Sequence, residues 1–313
     1  MSGRSLGKSV ERLLGSTRIN PRNLIATIYG DMLVPHGGNV WLGSLVEMTG
    51  RFGIAEYLSR TTALRLVKEG LLHSTRVGKL SYYSPTPEHM QGTISYYRRT
   101  YDEPERDWTG TWRLVLTGGA NLDAKTYTGL RRDLLWLGVG QLAPHVFITA
   151  AADLSSLEQM FKDVGLVGRI QIMEARAVLP DNPELMRAIV ADAWNIGAVE
   201  EHYETFLSSF RPIWSQIDKG KVLDPELAFV IRALLIMEYR RIALRDPRLP
   251  REYLPPAWAG EMAFALCRNI YQAVLEPSET YLETIVRTAD GPIREATTEL
   301  YARFGGLKRG VTA

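Results

Sequence analysis

The sequence predicts a multidomain α+β protein with an N-terminal winged helix-turn-helix, a central ferredoxin-like α+β domain and a C-terminal all-α domain. Residues 20–86 show three helical patterns and a hairpin, residues 107–178 alternate between strand and helix patterns, and residues 180–304 show helical patterns throughout. Clusters of proline and acidic residues separate these three segments. We expect residues 1–19 and the basic end after Phe304 to fray.

Helix signals define the first segment. Asn20 precedes a proline, which is typical of a helix N-terminus, and this helix is predicted to reach about Val34. Further helices are predicted over residues 42–49 and about 55–69, and Gly70 is suited to cap the last of them.

The third predicted helix has two unlike faces at the helical period. One face is small and apolar, and the other carries Tyr57, Arg60, Thr61, Arg65 and Lys68. Leu64 also falls on the polar face, so the division is imperfect. A solvated surface helix would show the same pattern, and the pattern alone leaves both a solvent-facing and a ligand-facing role open.

A basic hairpin follows this helix directly. Residues 71–76 and 80–84 are predicted strands around a turn at Gly78, and Arg76 and Lys79 flank that turn. Three helices and a basic-tipped hairpin predict a winged helix-turn-helix. In that fold the third helix enters the major groove of DNA, and the hairpin tip meets the backbone or minor groove.

The charge distribution agrees with a polyanionic partner for this segment. Residues 1–86 carry 11 Lys and Arg against 5 Asp and Glu, a net charge of +6, whereas residues 87–313 carry 26 against 30, a net charge of −4. The excess is small, and a merely solvated basic surface would also produce it.

The remaining elements are predicted from periodicity and helix caps. In the central segment, strands are predicted over residues 112–117, 145–150 and 169–178, and helices over 127–137 and 154–164. In the C-terminal segment, helices are predicted over residues 183–194, 197–210, 225–244, 258–275 and 278–289, with a proline-rich extended linker over residues 246–256.

Several motifs carry a resemblance to a known family. Residues 58–70 resemble the recognition helix of the PaaX family, whose members repress phenylacetate-degradation genes. Residues 78–83 resemble the wing of the same family. Further family-like motifs lie at residues 29–31, 37–45, 108–112, 238–241, 246–250, 254–255 and 258–260. Two positions depart from the family pattern. Lys79 replaces an expected wing arginine, which keeps the charge and loses the forked donor, and Met237 stands where a histidine is expected.

The resemblance implies a DNA-binding repressor. The single cysteine, the absence of a signal-peptide pattern and the absence of a long apolar run predict a cytoplasmic protein without membrane association. We expect no cofactor and no enzymatic activity. Its implied partners are double-stranded operator DNA, a second copy of the chain in a homodimer, and an aryl-CoA effector such as phenylacetyl-CoA that releases the DNA. The residues expected to contact DNA are those of the helix face and the hairpin tip, namely Tyr57, Arg60, Thr61, Arg65, Lys68, Arg76 and Lys79.

An arginine cluster is the candidate effector site. Arg240, Arg241, Arg245 and Arg248 could bind the phosphates of a coenzyme A, which need several cationic donors. Trp194 and Trp258 could wall the pocket for its acyl group. In the alternative interpretation these arginines pair with Glu238, Asp246 and Glu252 and lock the helix to the linker that follows.

Other functions have weaker support in the sequence. Cys267 is the single cysteine, so an intrachain disulfide and a cysteine zinc site are excluded. An enzyme acting on nucleic acid or a CoA thioester is the main alternative, but no phosphate-binding glycine loop or nucleophile motif is present. His202 with Glu201 and Glu204 could hold a metal, although a solvated helix face explains the pattern. Asp123 and Asp133 could form an acidic cluster of the kind that nucleases use, although a capping or solvated role explains both. A third possibility is an adaptor whose winged helix does not bind DNA.

Overall fold

The computed structural model describes residues 2–103, 108, 110–151, 154–176, 182–217 and 223–307. The helices are α1 Ser2–Ser16, α2 Pro21–Thr27, α3 Leu42–Gly50, α4 Glu56–Lys68, α5 Pro87–Tyr101, α6 Ala124–Trp136, α7 Ser155–Asp163, α8 Pro183–Trp194, α9 Ile196–Gln216, α10 Pro225–Ala243, α11 Ala259–Ile285 and α12 Thr298–Ala302. The strands are β1 Val40–Trp41, β2 Leu72–Val77, β3 Leu80–Pro85, β4 Trp112–Leu116, β5 Gly140–Ala143, β6 Val146–Thr149, β7 Gln171–Ala175, β8 Arg287–Thr288 and β9 Gly291–Pro292.

The chain packs into two compact units. Unit 1 comprises residues 1–102, 205–240 and 262–313, and unit 2 comprises residues 103–204 and 241–261. The multidomain mixture of helix and sheet is therefore as predicted. The C-terminal helices differ from the expectation of a separate all-α body because they are divided between the two units, and the short β8–β9 ladder lies among them in sequence.

The N-terminal helices of unit 1 follow their sequence signals. The Asn20 side chain accepts hydrogen bonds from two backbone N–H groups of α2, which confirms the predicted N-cap. Beyond α2 the chain continues through π-helical turns over Ile28–Leu33 and a 3₁₀ turn over Val34–His36, so the helical stretch is longer than its α-helical part. Such π-helical insertions are rare in proteins, and those that occur are often found at functional sites.

A three-stranded antiparallel sheet completes the N-terminal part of unit 1, in the order β1-β3-β2. The hairpin register runs from Leu72 opposite Pro85 to Val77 opposite Leu80, as expected for strands joined by a two-residue turn. The short strand β1 pairs with β3 at Tyr83. Its two residues carry too little pattern to be predicted from sequence.

Two expectations for unit 1 were wrong. The residues expected to fray at the start of the chain form α1, whose side chains Leu6, Val10 and Leu13 are buried at helical spacing. The two helices predicted over residues 258–289 are one helix, α11, which continues through Pro277. The expectation of fraying at the chain end falls largely on residues 308–313, outside the described residues.

Unit 2 contains a four-stranded antiparallel sheet in the order β5-β6-β4-β7. Along the chain the elements run β4-α6-β5-β6-α7-β7, a βαββαβ arrangement. Its core is formed by Val115, Leu130, Leu134, Val139, Phe147, Leu157, Phe161 and Leu166. Strand β5 was not predicted, since its residues Gly140–Ala143 include no β-branched or aromatic side chain.

Candidate functional site

The polar face of α4 points to solvent because the opposite face is buried. Ser59, Thr62, Ala63 and Leu66 are buried, and the Ser59 hydroxyl lies 2.7 Å from the hydroxyl of Thr49 on α3. Positions three and four residues apart share one side of a helix, so burial of this set orients the remaining positions outward.

The side chains expected on the polar face are all exposed, namely Tyr57, Arg60, Thr61, Arg65 and Lys68. Tyr57 is 72% exposed, and Leu64 on the same face is 54% exposed. The two-faced helix expected from the sequence is confirmed, including the apolar residue that interrupts its polar side. The role of this face in binding stays a prediction.

The arginines of this face are held by weak surface ion pairs. Arg60 Nη2 lies 2.7 Å from Glu56 Oε1, and Arg65 Nε lies 3.8 Å from Glu69 Oε1. Exposed ion pairs of this kind contribute about 0–1 kcal/mol and are screened by salt. A phosphate or a base edge can therefore displace the glutamates at little cost.

The hairpin tip presents two cations. Val77 and Leu80 close a two-residue turn, and Gly78 within it has φ +60°, in the left-handed region that glycine tolerates. Arg76 and Lys79 are both exposed, and Arg76 Nε donates to the Gly78 carbonyl at 3.2 Å. The tip is thus a compact positive projection from the sheet.

A buried charge network lies elsewhere in unit 1, centred on Asp31 in the π-helical turn. Its carboxylate accepts hydrogen bonds from Arg232 Nε at 2.7 Å and from Arg303 Nη1 at 2.8 Å. The hydroxyls of Tyr101 and Tyr271 donate to the same carboxylate at 2.5 and 3.0 Å. The acid and both arginines are at most 2% exposed, so these charges are compensated inside the protein and not by water.

A second carboxylate balances the network. Glu279 accepts a hydrogen bond from Arg232 and lies 2.8 Å from His36 Nε2. Burial raises the pKa of Glu279, but the charges and hydrogen bonds of Arg232 and His36 outweigh it and lower that pKa to about 2. Burial likewise lowers the pKa of Arg232, and Asp31 outweighs that effect and raises it above its ordinary value.

Sequence reasoning missed this network, although one signal was present. Arg232 is the only charged residue in the apolar run 227–237 on α10. An arginine is almost never fully buried unless it is paired, so such a position indicates a buried partner. The sequence did not indicate which acid that partner would be.

The predicted arginine cluster is divided by the structure. Arg240 belongs to unit 1, where its Nη2 donates to the Thr27 hydroxyl at 2.9 Å and burial lowers its pKa. Arg241, Arg245 and Arg248 belong to unit 2, and the first two of them are exposed. Neighbouring positions on a helix point in different directions, which is why adjacent arginines of α10 have different surroundings.

Asp246, named as a pairing partner for these arginines, has contacts of its own. Its Oδ2 accepts a hydrogen bond from the Tyr203 hydroxyl at 2.6 Å, and its Oδ1 accepts one from the Arg248 backbone N–H at 2.7 Å. Both contacts lie within unit 2 and fix the chain where α10 gives way to the proline-rich linker.

The two candidate tryptophans pack within unit 2. Trp194 Nε1 donates to the Gly138 carbonyl at 2.8 Å, and its ring covers Gly140, where an added Cβ would lie only 2.5 Å from the indole. Trp258 is 4% exposed and meets Tyr203 edge to face, with ring centroids 5.7 Å apart. Trp194 therefore depends on a glycine for its position, and Trp258 is a core residue.

Asp123 and His202, the candidates for catalysis and metal binding, make ordinary local contacts. Asp123 accepts hydrogen bonds from the backbone N–H groups of Lys125 and Thr126 and so caps α6. His202 Nδ1 lies 2.5 Å from the Ala198 carbonyl. Among the described residues, no group of three or more His, Cys, Asp or Glu side chains could hold a metal ion. None of the described helices combines the length and the apolar character needed to cross a membrane.

Comparison with known proteins gives matches along nearly the whole chain. Residues 20–88 match the family described as PaaX-like protein, residues 105–186 match the PaaX protein central Cas2-like domain, and residues 194–284 match the PaaX-like protein C-terminal domain. The chain is 34% identical over 299 residues to the transcriptional repressor PaaX of Escherichia coli strain K12, covering 95% of this chain and 94% of that one.

One solved structure is similar as well. It is an uncharacterized protein of Mycobacterium tuberculosis, 23% identical, which covers 76% of this chain and 89% of its own length with a TM-score of 0.49.

Proposed function

The chain belongs to the PaaX family, and we propose that it is a transcriptional repressor that binds double-stranded operator DNA ahead of genes for phenylacetate-type catabolism. The observation that carries this proposal is the exposed cationic face of α4 beside an exposed, basic hairpin tip in the same compact unit. Phosphate contacts supply most of the affinity of a DNA-binding protein, and base contacts supply its specificity.

We assign the N-terminal segment to the winged helix-turn-helix fold. Helices α2, α3 and α4 precede the β2–β3 hairpin directly, and β1 adds a third strand to it. In this arrangement α4 is the recognition helix in the major groove, and the hairpin is the wing. Arg60 and Thr61 then face base edges, while Arg76 and Lys79 meet phosphates.

The central segment is proposed to be ferredoxin-like, on the basis of its βαββαβ order and its single antiparallel sheet.

We also propose that the repressor is a homodimer on an inverted repeat. One winged domain offers a small footprint, and symmetric operators are usually read by two-fold dimers. Sedimentation of a monomer at micromolar concentration, with one chain bound per operator, would rule the dimer out.

The effector proposed from the family resemblance is an aryl-CoA, typically phenylacetyl-CoA. Within unit 2, Arg241 and Arg245 are exposed cations near Arg248 in sequence, and they can meet the phosphates of coenzyme A. Arg240 is left out of this set, since its guanidinium is hydrogen-bonded to Thr27 in unit 1. Trp194 is half-buried and can supply an aromatic wall, whereas Trp258 is buried and packs against Tyr203.

Titration of DNA binding tests the proposal. The protein is titrated onto a duplex from its own upstream region at fixed salt, with and without phenylacetyl-CoA, and thioester binding is measured by calorimetry. We expect specific binding that the thioester weakens by a coupling of about 1–3 kcal/mol, and a much smaller effect of free phenylacetate. Recovery of the thioester intact separates a repressor from an enzyme.

The arginine assignment has a matched control. Arg241→Ala is expected to blunt the response to phenylacetyl-CoA and leave DNA binding nearly unchanged. Arg132→Ala, which removes another exposed arginine of unit 2, is expected to change neither. If Arg241→Ala loses DNA binding and folding together, or if no CoA thioester binds, this effector site is wrong.

A further inference from the structure

The α4 face carries exposed apolar side chains. Contacts to phosphate or to polar base edges would not require them. In the described part of unit 1, the exposed large hydrophobic residues are Tyr57, Leu64, Val77, Leu80, Met90 and Met262. Four of these six lie on α4 or at the hairpin tip. Exposed apolar residues are common when scattered, but here they concentrate on the surface assigned to DNA.

Leu64 has the most informative position among them. It is 54% exposed, and its neighbours along the same side of the helix are Arg60, Thr61 and Lys68. The leucine is therefore at the centre of the polar face and not at its edge. Packing within unit 1 does not account for it, because the buried face of α4 lies opposite.

We infer that Leu64 recognises the 5-methyl group of a thymine in the major groove; this inference rests on the proposed function. The thymine methyl is the one apolar group among the base edges of the major groove, where the other edges present hydrogen-bond donors and acceptors. A leucine makes no hydrogen bonds. Placed against guanine, adenine or cytosine it would bury polar edge atoms without partners, which disfavours those bases.

The helix geometry limits where that thymine lies. Arg60 and Leu64 are one turn apart, a rise of about 6 Å, and successive base pairs are about 3.4 Å apart. The two backbone positions therefore span about two base pairs, and the thymine is expected about that far from the base that Arg60 contacts. An arginine fork prefers guanine, so each half-site is expected to contain a guanine and a thymine within that distance.

Replacement of thymine by uracil tests this contact, because uracil keeps the pairing and lacks only the methyl group. Operator duplexes carrying single deoxyuridine substitutions are compared by competition at fixed salt. Burying one methyl group contributes about 0.8 kcal/mol, so wild type is expected to bind about fourfold more weakly at the contacted position. Leu64→Ala is expected to bind the thymine and uracil duplexes equally, whereas Leu64→Met, which keeps an apolar contact, retains some preference for thymine.

Leu185→Ala is the matched control. It removes a leucine of α8 in unit 2 that is 58% exposed, and it is expected to leave the thymine preference unchanged. If no single uracil substitution weakens wild-type binding, or if every substitution that weakens wild type weakens Leu64→Ala equally, the inference is wrong while the repressor assignment stands. If wild type binds no upstream duplex specifically, both are wrong.

Discussion

Replacing Asp31 by asparagine is expected to destabilise unit 1 severely. The substitution keeps the shape of the side chain and removes the charge that Arg232 and Arg303 share at 2.7 and 2.8 Å. Arg232 retains Glu279 as a partner, whereas Arg303 loses its ion pair with Asp31. Both arginines are at most 2% exposed, so water cannot replace the carboxylate.

The magnitude follows from breaking a buried pair by removing one partner, which costs about 3–5 kcal/mol. The two arginines belong to one network, so their losses do not add. Since whole domains are stable by only about 5–15 kcal/mol, we expect Asp31→Asn to remove a large share of the stability of unit 1.

Hydrogen exchange measures this effect unit by unit. Amides of α2 and α4 are expected to lose protection by a factor of about 10² to 10⁴, which corresponds to about 3–5 kcal/mol. Amides of the β4–β7 sheet in unit 2 serve as the internal reference. Glu56→Gln, which neutralises an exposed carboxylate on α4, is the control and is expected to change stability by less than about 1 kcal/mol. If Asp31→Asn is as mild as this control, the buried network does not stabilise unit 1.

Three further predictions concern the interface and the network. Arg60→Ala is expected to weaken specific DNA binding by about 1–3 kcal/mol and relax preference at one base pair, and a wild-type binding profile in a base-substitution series would contradict the placement of α4. Replacing Arg76 and Lys79 together by alanine is expected to lower affinity for all sequences alike and to reduce the salt slope by roughly two, so an unchanged slope in a salt titration means that the hairpin does not touch DNA. Glu279, whose pKa is lowered from 4.5 to about 2, contributes stability that is fully present above pH 4.5 and is lost as the pH falls to about 2. Across that window the free energy of unfolding of wild type is expected to fall by about 3 kcal/mol more than that of Glu279→Gln. Parallel plots of unfolding free energy against pH for the two proteins would show that the carboxylate is not paired.

Local signals predicted the elements that carry the proposed DNA interface. The two faces of α4, the cap at Asn20 and the turn at Gly78 follow from side-chain periodicity and turn chemistry within a few residues. The same reasoning indicated that Leu64 lies on the polar face. These features depend on neighbours in sequence, and that is why the sequence alone was sufficient for them.

The contacts between distant segments could not be predicted in this way. Asp31 and Arg303 are 272 positions apart, and no periodicity relates them. The arginines at the end of α10 were grouped because they are close in sequence, yet Arg240 and Arg241 belong to different units. Helix α1 was not predicted for the same reason. Its apolar side chains are buried against other parts of the protein, and a short helix of this kind is stable only with such packing.

The long-range pairing of Asp31 has a consequence for how the protein is made. During translation the N-terminal segment leaves the ribosome well before Arg303, which follows Asp31 by 272 positions. Until then the Asp31 side chain lacks one of its two buried cations. We therefore expect residues 20–86, expressed as an isolated fragment, to fold poorly, and the proposed DNA-binding surface to become stable only after Arg303 has been synthesised. If the proposed function is correct, chains that end before Arg303 would not occupy the operator.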